Sequence, residues 1–288
     1  MTILSVLIAL LIERIAPQLI EMRRFDWLRG YAQWSADLFQ VQRLGAWFGL
    51  ALVLLPLVLL TWLAVGLFEN ALFGLFELAF GVAVVFFCIG PRDLDQQIDR
   101  YLDVLELGDD EQRKQAGADL TGGELADDLD AQTSQVAQGI MVEANIRVFA
   151  LLFWFAVLGP IAAVVYRVLE LFLRHGALPS EMPDWREQLK IVLGVLDWIP
   201  SRLSAFAYMV SGSFEDGLAA YRKAPTESIE LYEQNNTVLA QVGSSCLSLE
   251  PNEDPLGRGM DQVRKARGLV LRALVVWLLL VLLVSIVS

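Results

Sequence analysis

The chain has 288 residues, of which 56% are hydrophobic and 19% charged, and its formal net charge is −12. Ordinary soluble domains are ~45–50% apolar, so the composition and a mean hydropathy of +0.50 favour a membrane protein. The acidity argues against a nucleic-acid partner, which requires a basic face. With two cysteines and one histidine, we expect no disulfide framework, no metal site and no haem or iron–sulfur cofactor.

The N-terminal run Met1–Ile12 is apolar and ends at Glu13-Arg14. It has no basic n-region and no Ala-x-Ala site, so we expect it to be retained rather than cleaved as a signal peptide. Because it is shorter than the ~20 residues that cross a bilayer, it either enters the membrane partway or lines the bundle.

Four later segments are long and apolar enough to span a bilayer. They run from about 44 to 68, 71 to 89, 147 to 173 and 269 to 287. The last is almost entirely Leu and Val, which favours a lipid-facing anchor. A fifth segment, 191–210, contains Asp197, Pro200 and Arg202. Because proline removes a backbone donor, we expect this segment to be a helix broken at Pro200 and buried against protein.

The predicted fold class is all-α, a polytopic helical bundle with four to five membrane spans, one broken at Pro200, and helical cytoplasmic loops. The acidic stretch 91–146 has helical apolar spacing, and 213–267 is the second polar stretch. Arginine and lysine concentrate in these loops, so the positive-inside rule predicts that both are cytoplasmic. The expected divisions are 1–90 (N-terminal helix and first hairpin), 91–146 (acidic loop), 147–212 (helices with polar motifs), 213–267 (second loop) and 268–288 (C-terminal span).

Charged side chains inside the apolar segments suggest a binding site. A charge at the bilayer centre costs at least ~2.5–3.5 kcal/mol on insertion scales, so such residues normally face a bundle interior or a wet cavity. Tyr166-Arg167 is either an interfacial pair on a helix kinked at Gly159-Pro160 or part of that site. Asp197 and Arg202 either form an ion pair or point separately at a ligand. The residues expected to share one ligand-binding pocket are Glu13, Arg14, Glu143, Asn145, Tyr166, Arg167, Asp197 and Arg202.

No sequence motif indicates catalysis, and no catalytic residue is predicted. The glycines of the acidic loop do not form a Walker nucleotide loop, and a single histidine makes a nucleophile–His–acid triad hard to support. The acidic clusters Asp109-Asp110-Glu111 and 127–130 do not match an EF-hand loop. We interpret them as solvated acidic faces rather than cation sites.

Three features resemble the AmpE family of inner-membrane proteins, which are encoded beside the amidase AmpD. They are the start Leu11-Ile12-Glu13-Arg14, the helix with Gly159-Pro160 and Tyr166-Arg167, and the motif Asp197-Trp198-Ile199-Pro200-Ser201-Arg202-Leu203. The family is implicated in sensing or regulation during AmpC β-lactamase induction, alongside peptidoglycan recycling. The resemblance implies a multi-pass regulatory protein of the bacterial inner membrane. Its expected ligand is a cell-wall-derived small molecule, bound through Arg167 and Arg202.

The sequence is also similar to the CobD/CbiB membrane proteins, which form an amide in cobalamin biosynthesis. The elements that match in order are Glu143-Ala144-Asn145, Phe153-Trp154, Gly159-Pro160, Tyr166 and Pro200-Ser201-Arg202-Leu203. The Asn-Thr-Leu-Asp segment expected after the tyrosine is replaced by Val168-Leu169-Glu170-Leu171. One alternative function is therefore an amide-forming enzyme with Glu143 and Asp197 as acid/base or metal-binding groups. Another is a membrane scaffold that binds a cytoplasmic protein through 91–146.

Overall fold

The computed structural model describes residues 2–15, 26–41, 45–68, 74–89, 91–175, 185–224, 230–250 and 252–287. Their helices are α1 (Thr2–Ile15), α2 (Asp26–Leu38), α3 (Ala46–Phe68), α4 (Leu75–Cys88), α5 (Pro91–Leu107), α6 (Asp110–Thr121), α7 (Leu129–Ala144), the π-helical segment Asn145–Phe149, α8 (Ala150–Leu158), α9 (Pro160–His175), α10 (Trp185–Ser211), α11 (Phe214–Lys223), α12 (Leu231–Ser245) and α13 (Pro255–Val287). No strand occurs in these described ranges, and the predicted all-α class is confirmed.

The first of two compact units comprises Met1–Ile89, Leu151–Leu196 and Val281–Ser288. In it α1 packs on α4, while α3 and α4 both pack on α9. Ser5 and Ala9 lie on the buried stripe of α1, at the four-residue spacing of one helix face. A side chain at Gly81 would place its Cβ 2.8 Å from Ser5 Oγ, so glycine permits the close approach of α4 to α1.

The second unit comprises Gly90–Ala150 and Asp197–Leu280. Here α5, α6 and α7 form a small helical layer, α12 packs on α7, and α11 packs on α12. Asp109 starts α6 by accepting hydrogen bonds from the backbone N–H groups of Glu111 and Gln112, which satisfies donors that have no partner within the helix. The polar stretches are therefore helical, as predicted.

Three helical runs in the described part of the chain are long and apolar enough to span a membrane, namely 46–67, 129–158 and 255–286. The apolar helices at Thr2–Glu13 and Leu75–Cys88 are shorter. The first and last long runs overlap the spans expected at about 44–68 and 269–287, whereas the helix in the expected span 71–89 is the shorter Leu75–Cys88. The three long runs have the length and composition of membrane-spanning helices.

The expected span at 147–173 has different bounds in the structure. The helical run that begins at Leu129 ends at Leu158, Gly159 adopts a left-handed conformation with φ 78°, and Pro160 opens α9. Glycine tolerates positive φ, and proline at the first helical position loses no hydrogen bond. One helix therefore ends and another begins at Gly159-Pro160. The helix that was expected only on the surface of the acidic loop continues into the apolar run.

The expected break at Pro200 is not observed. Helix α10 is one 27-residue helix with Pro200 inside it. Proline removes a single hydrogen bond from the helical ladder, and small local adjustments can accommodate that loss within a buried helix. The two ends of α10 therefore remain parts of one helix.

Candidate functional site

The residues predicted to bind a ligand fall into two groups. Glu13, Tyr166 and Arg167 belong to the first unit, and Glu143, Asn145, Asp197 and Arg202 belong to the second. The side chain of Arg14 lies outside the described residues. Each group is described by itself below, and a pocket shared by both remains a prediction.

The second unit contains a buried ion pair beside a distorted helix. Arg147 Nε donates to Glu143 Oε2 at 2.6 Å, and the two side chains are only 8% and 5% exposed. Between α7 and α8 the helix is π-helical, and the Ala150 N–H bonds to the carbonyl of Asn145. A π-bulge adds a residue to one turn and is frequent at functional sites. The bulge and the ion pair together mark this point of the helix as a candidate site.

Helix α10 contacts the same segment through side-chain hydrogen bonds. Ser204 Oγ donates to Asn145 Oδ1 at 2.8 Å, and the Tyr208 hydroxyl donates to the carbonyl of Met141 at 2.7 Å. Ser204, Tyr208 and Asp197 are all buried, and their spacing puts them on one face of α10. The Asp197 carboxylate therefore shares the face that contacts Asn145.

Arg202 is the most accessible of the predicted site residues in the second unit. Its Nη1 donates to the carbonyl of Trp198 at 3.3 Å, to Ser201 Oγ at 2.9 Å and to Asn235 Oδ1. The guanidinium lies over the Trp198 ring, with Cζ 5.1 Å from the ring centroid. Asn235 is buried on α12, whereas Arg202 is only partly buried. These hydrogen bonds of Arg202 do not include the Asp197 carboxylate.

The first unit carries a ladder of charges along α9. Arg167 Nη1 donates to Glu170 Oε2 at 2.7 Å, and Arg174 Nε donates to Glu170 Oε1 at 2.5 Å. Arg167, Glu170 and the neighbouring Tyr166 are buried, while 26% of the Arg174 side chain is exposed. Residues three and four apart on a helix are neighbours, so one carboxylate can bind both arginines along α9.

Glu13 is also buried, with 3% of its surface exposed. It lies four residues after Ala9 and continues the stripe through which α1 packs on α4. Its burial agrees with an inward-facing polar residue.

Several partners of the predicted residues were not among the predicted site residues. Glu170 lies three residues after Arg167, and Arg147 lies four residues after Glu143. Helical spacing would therefore have predicted both as partners of site residues. Ser204 lies on the Asp197 face of α10, but nothing local in the sequence pairs it with Asn145. Asn235 reaches Arg202 from 33 positions away, and only the fold brings these two together.

The acidic clusters have structural roles in the described ranges. Asp109 and Asp128 accept hydrogen bonds at the starts of α6 and α7, and Asp127 Oδ1 lies 2.5 Å from Lys114 Nζ. The hydrogen bond and the charge of Lys114 lower the pKa of Asp127, and those of Asp127 raise the pKa of Lys114. No group of three His, Cys, Asp or Glu residues in this part of the chain is arranged to hold a metal ion.

Comparison with known proteins identifies the family. The family described as "Regulatory signalling modulator protein AmpE" matches residues 1–287. The chain belongs to the AmpE family. The suspected relation to CobD proteins is also supported, because a cobalamin biosynthesis protein CobD from Chromobacterium violaceum is 26% identical over 190 residues. That match covers 62% of this chain and 56% of the relative, so the chain spans little more than half of that protein's length. No solved structure matches the chain.

Proposed function

We propose that this AmpE-family protein is a sensory component of AmpC β-lactamase induction and of the response to peptidoglycan recycling. In this proposal it lies in the bacterial inner membrane and binds a polar, cell-wall-derived small molecule. Membership of a family of regulatory signalling modulators supports the regulatory role. The observation that carries the ligand proposal is Arg202, a partly exposed guanidinium oriented by buried groups around it.

The chemistry around Arg202 favours an anionic ligand. Asn235 and Ser201 hold one edge of the guanidinium, and Trp198 lies under its face. A planar guanidinium fixed in this way presents paired N–H donors that suit a carboxylate or a phosphate. Cell-wall muropeptides carry several carboxylates, and Arg202 would bind one of them.

The test is thermal unfolding of the detergent-purified protein with a panel of ligands. The panel contains anhydromuropeptides, UDP-linked wall precursors, corrinoids and nucleotides, each with and without Mg²⁺. A ligand that binds only the folded protein stabilises it by about 2.7 kcal/mol at a hundredfold excess over its Kd. We expect anhydromuropeptides to raise the unfolding temperature of the wild type and not of Arg202→Ala.

Arg100→Ala is the matched control, because Arg100 is an exposed arginine of the same unit in a long ion pair with Asp119. It should respond to the ligand as the wild type does. Equal shifts in Arg202→Ala and the wild type would contradict the role of Arg202. If no ligand of the panel raises the unfolding temperature, the result would favour a scaffold that binds a cytoplasmic protein through 91–146.

The proposed orientation has a separate test. Both polar stretches are expected in the cytoplasm, where loop lysines and arginines accumulate. Glu111 is exposed in α6, so Glu111→Cys in a background without Cys88 and Cys246 provides one accessible thiol. A membrane-impermeant maleimide should label it only after the inner membrane is permeabilised. Labelling in cells with an intact inner membrane would place this loop outside.

An amide-forming enzyme is the second candidate, favoured by the 26% identity to a CobD protein. In that case Glu143 and Asp197 would act as acid/base or metal-binding groups near the substrate. Stabilisation by a corrinoid or by a nucleotide with Mg²⁺ would support this function, and the shift should then disappear in Asp197→Asn. The absence of such shifts together with a muropeptide shift would argue against it.

A further inference from the structure

A cleft of about 480 Å³ lies between α5 and α13 in the second unit, away from the residues discussed so far. The residues that line it are Asp99, Leu102, Asp103, Glu106, Arg264, Arg267, Gly268 and Leu271. The cleft therefore combines carboxylates and guanidiniums with two leucines, and it holds groups of both charges within one small volume.

The charges in the cleft are not all neutralised by one another. Arg267 Nε lies 2.7 Å from Asp95, and its Nη1 lies 2.7 Å from Asp99. Arg264, Asp103 and Glu106 are exposed, and none of the three forms an ion pair within the described residues. One cation and two anions thus remain available to a ligand that carries both charges.

The position of the cleft along α13 suggests which ligand this is. Helix α13 is the last candidate membrane span, and its sequence becomes almost wholly apolar beyond Arg272. Leu271, Val275 and Leu279 are 51%, 58% and 61% exposed, whereas Trp277 on the other face is buried. The four-residue spacing of the exposed residues continues the cleft face of the helix as an apolar stripe. The cleft therefore lies where a polar helix surface passes into one suited to hydrocarbon.

We propose that this cleft binds a phosphatidylethanolamine molecule. Its phosphate would bind Arg264, its primary ammonium would bind Asp103 and Glu106, and an acyl chain would lie along Leu271 and Val275. Charge-assisted hydrogen bonds to both ends of the headgroup give specificity, and basic groups beside membrane helices are known to bind lipid headgroups.

The chemistry of the cleft selects this lipid among common bilayer lipids. The lining has three carboxylates against two guanidiniums, so a lipid with net negative charge meets repulsion. A choline headgroup has no N–H to donate to the carboxylates, and none of the described lining residues is aromatic, as a choline cage would require. Only a headgroup with both a primary ammonium and a phosphate can bind the free carboxylates and the free guanidinium of the cleft.

The test is lipid retention measured by native mass spectrometry on the delipidated, detergent-purified full chain. Dioleoyl phosphatidylethanolamine, phosphatidylcholine and phosphatidylglycerol are each titrated into the wild type. We expect phosphatidylethanolamine to be retained about tenfold more strongly than phosphatidylcholine, the effect of one charge-assisted hydrogen bond. The double variant Asp103→Asn with Glu106→Gln should remove this preference while leaving phosphatidylcholine retention unchanged. Arg264→Gln should weaken both lipids, since both contain the phosphate.

The matched control is Glu111→Gln with Glu124→Gln, which removes two exposed carboxylates of the same unit outside the cleft. It should retain lipids as the wild type does. Equal retention of phosphatidylethanolamine and phosphatidylcholine by the wild type would overturn the proposal. Lipid retention by either cleft variant that equals that of the control variant would also overturn it. Stronger retention of phosphatidylglycerol that depends on Arg264 would also overturn it and identify an anionic-lipid site instead.

Discussion

Each unit of the molecule buries an ion pair within one helix, and the two units differ in the sequence separation of their other side-chain bonds. In the first unit, the ion pairs of Arg167 and Arg174 run along α9 and meet at Glu170. In the second unit, side-chain bonds also join distant parts of the chain, from Ser204 to Asn145 and from Arg267 to Asp99, 168 positions apart. A pair three or four residues apart needs only a helix, whereas a bond between distant positions needs the folded unit.

This difference has consequences for mutational effects. A charge ladder along one helix can form as soon as that helix forms, because its members are three and four residues apart. A bond between distant helices forms only with tertiary packing, so removing it weakens the contact between those helices. The predictions below test this contrast, from the largest expected effect to the smallest.

Breaking the buried pair of the second unit should have the largest effect. Glu143→Leu leaves the buried Arg147 guanidinium without its carboxylate, and removing one partner of a buried ion pair costs about 3–5 kcal/mol. The measurement is the free energy of unfolding from titration with sodium dodecyl sulfate in detergent micelles. Adding Arg147→Met should recover most of the loss, because a buried pair can be replaced by apolar groups at little cost. A double variant as unstable as the single one would show that the pair is not the cause.

The ladder of the first unit should be less sensitive. Glu170→Leu removes the carboxylate between two arginines, but Arg174 is partly exposed and can turn to water or headgroups. We expect a loss of about 1.5–3 kcal/mol, the range for a hydrogen bond to a charged group. The same detergent titration measures it, and Arg174→Gln should cost clearly less. If Glu170→Leu proves more damaging than Glu143→Leu, the partial exposure of Arg174 does not moderate the loss.

Two buried tyrosines of the second unit distinguish the effect of a hydrogen bond between helices from the effect of burying a hydroxyl group. Tyr208→Phe deletes the bond from α10 to the Met141 carbonyl, which still accepts a bond from the Asn145 N–H, and such a bond contributes about 0.5–1.5 kcal/mol. Tyr101 is equally buried, but its hydroxyl has no hydrogen-bond partner among the described residues. Tyr101→Phe should therefore be neutral or stabilising in the same unfolding titration. Equal losses for both variants would mean that hydroxyl volume, rather than the hydrogen bond, matters.

Sequence reasoning predicted the fold class because hydrophobic run length and helical spacing are local properties. It failed at Gly159-Pro160 and at Pro200, where two prolines have opposite outcomes. At the first, a preceding glycine can take positive φ and let the chain change helix. At the second, no glycine precedes the proline, and α10 continues through it. Proline alone therefore did not determine where a helix ends.

The candidate site was only partly predictable for a similar reason. Buried charged residues such as Glu143 and Arg167 are recognisable because an apolar segment has little use for them. Their helical partners follow from spacing, but Asn145 with Ser204 and Arg202 with Asn235 are pairs that only tertiary structure creates. No property of a single sequence specifies which polar residues of distant helices meet.

The smallest expected effect at neutral pH concerns Cys246 at the end of α12, which is 2% exposed. Burial, with a smaller contribution from the negative charge of Asp216, raises the pKa of its thiol from 9.0 to about 11. The unfolded chain therefore loses this proton at a lower pH than the folded chain. The thiol's contribution to stability is fully present below about pH 9 and is lost as the pH rises towards about 11.

In a Cys88→Ala background, the free energy of unfolding should fall more steeply between about pH 9 and about pH 11 than in the same background with Cys246→Ala. Iodoacetamide should alkylate Cys246 slowly at neutral pH, because the thiolate is the reactive form. Parallel stability curves for the two backgrounds would mean that the folded thiol titrates normally. Since Cys246 ends the helix that carries Asn235, such a result would also indicate that water reaches this end of α12 and that the second unit is more loosely packed than its hydrogen bonds suggest.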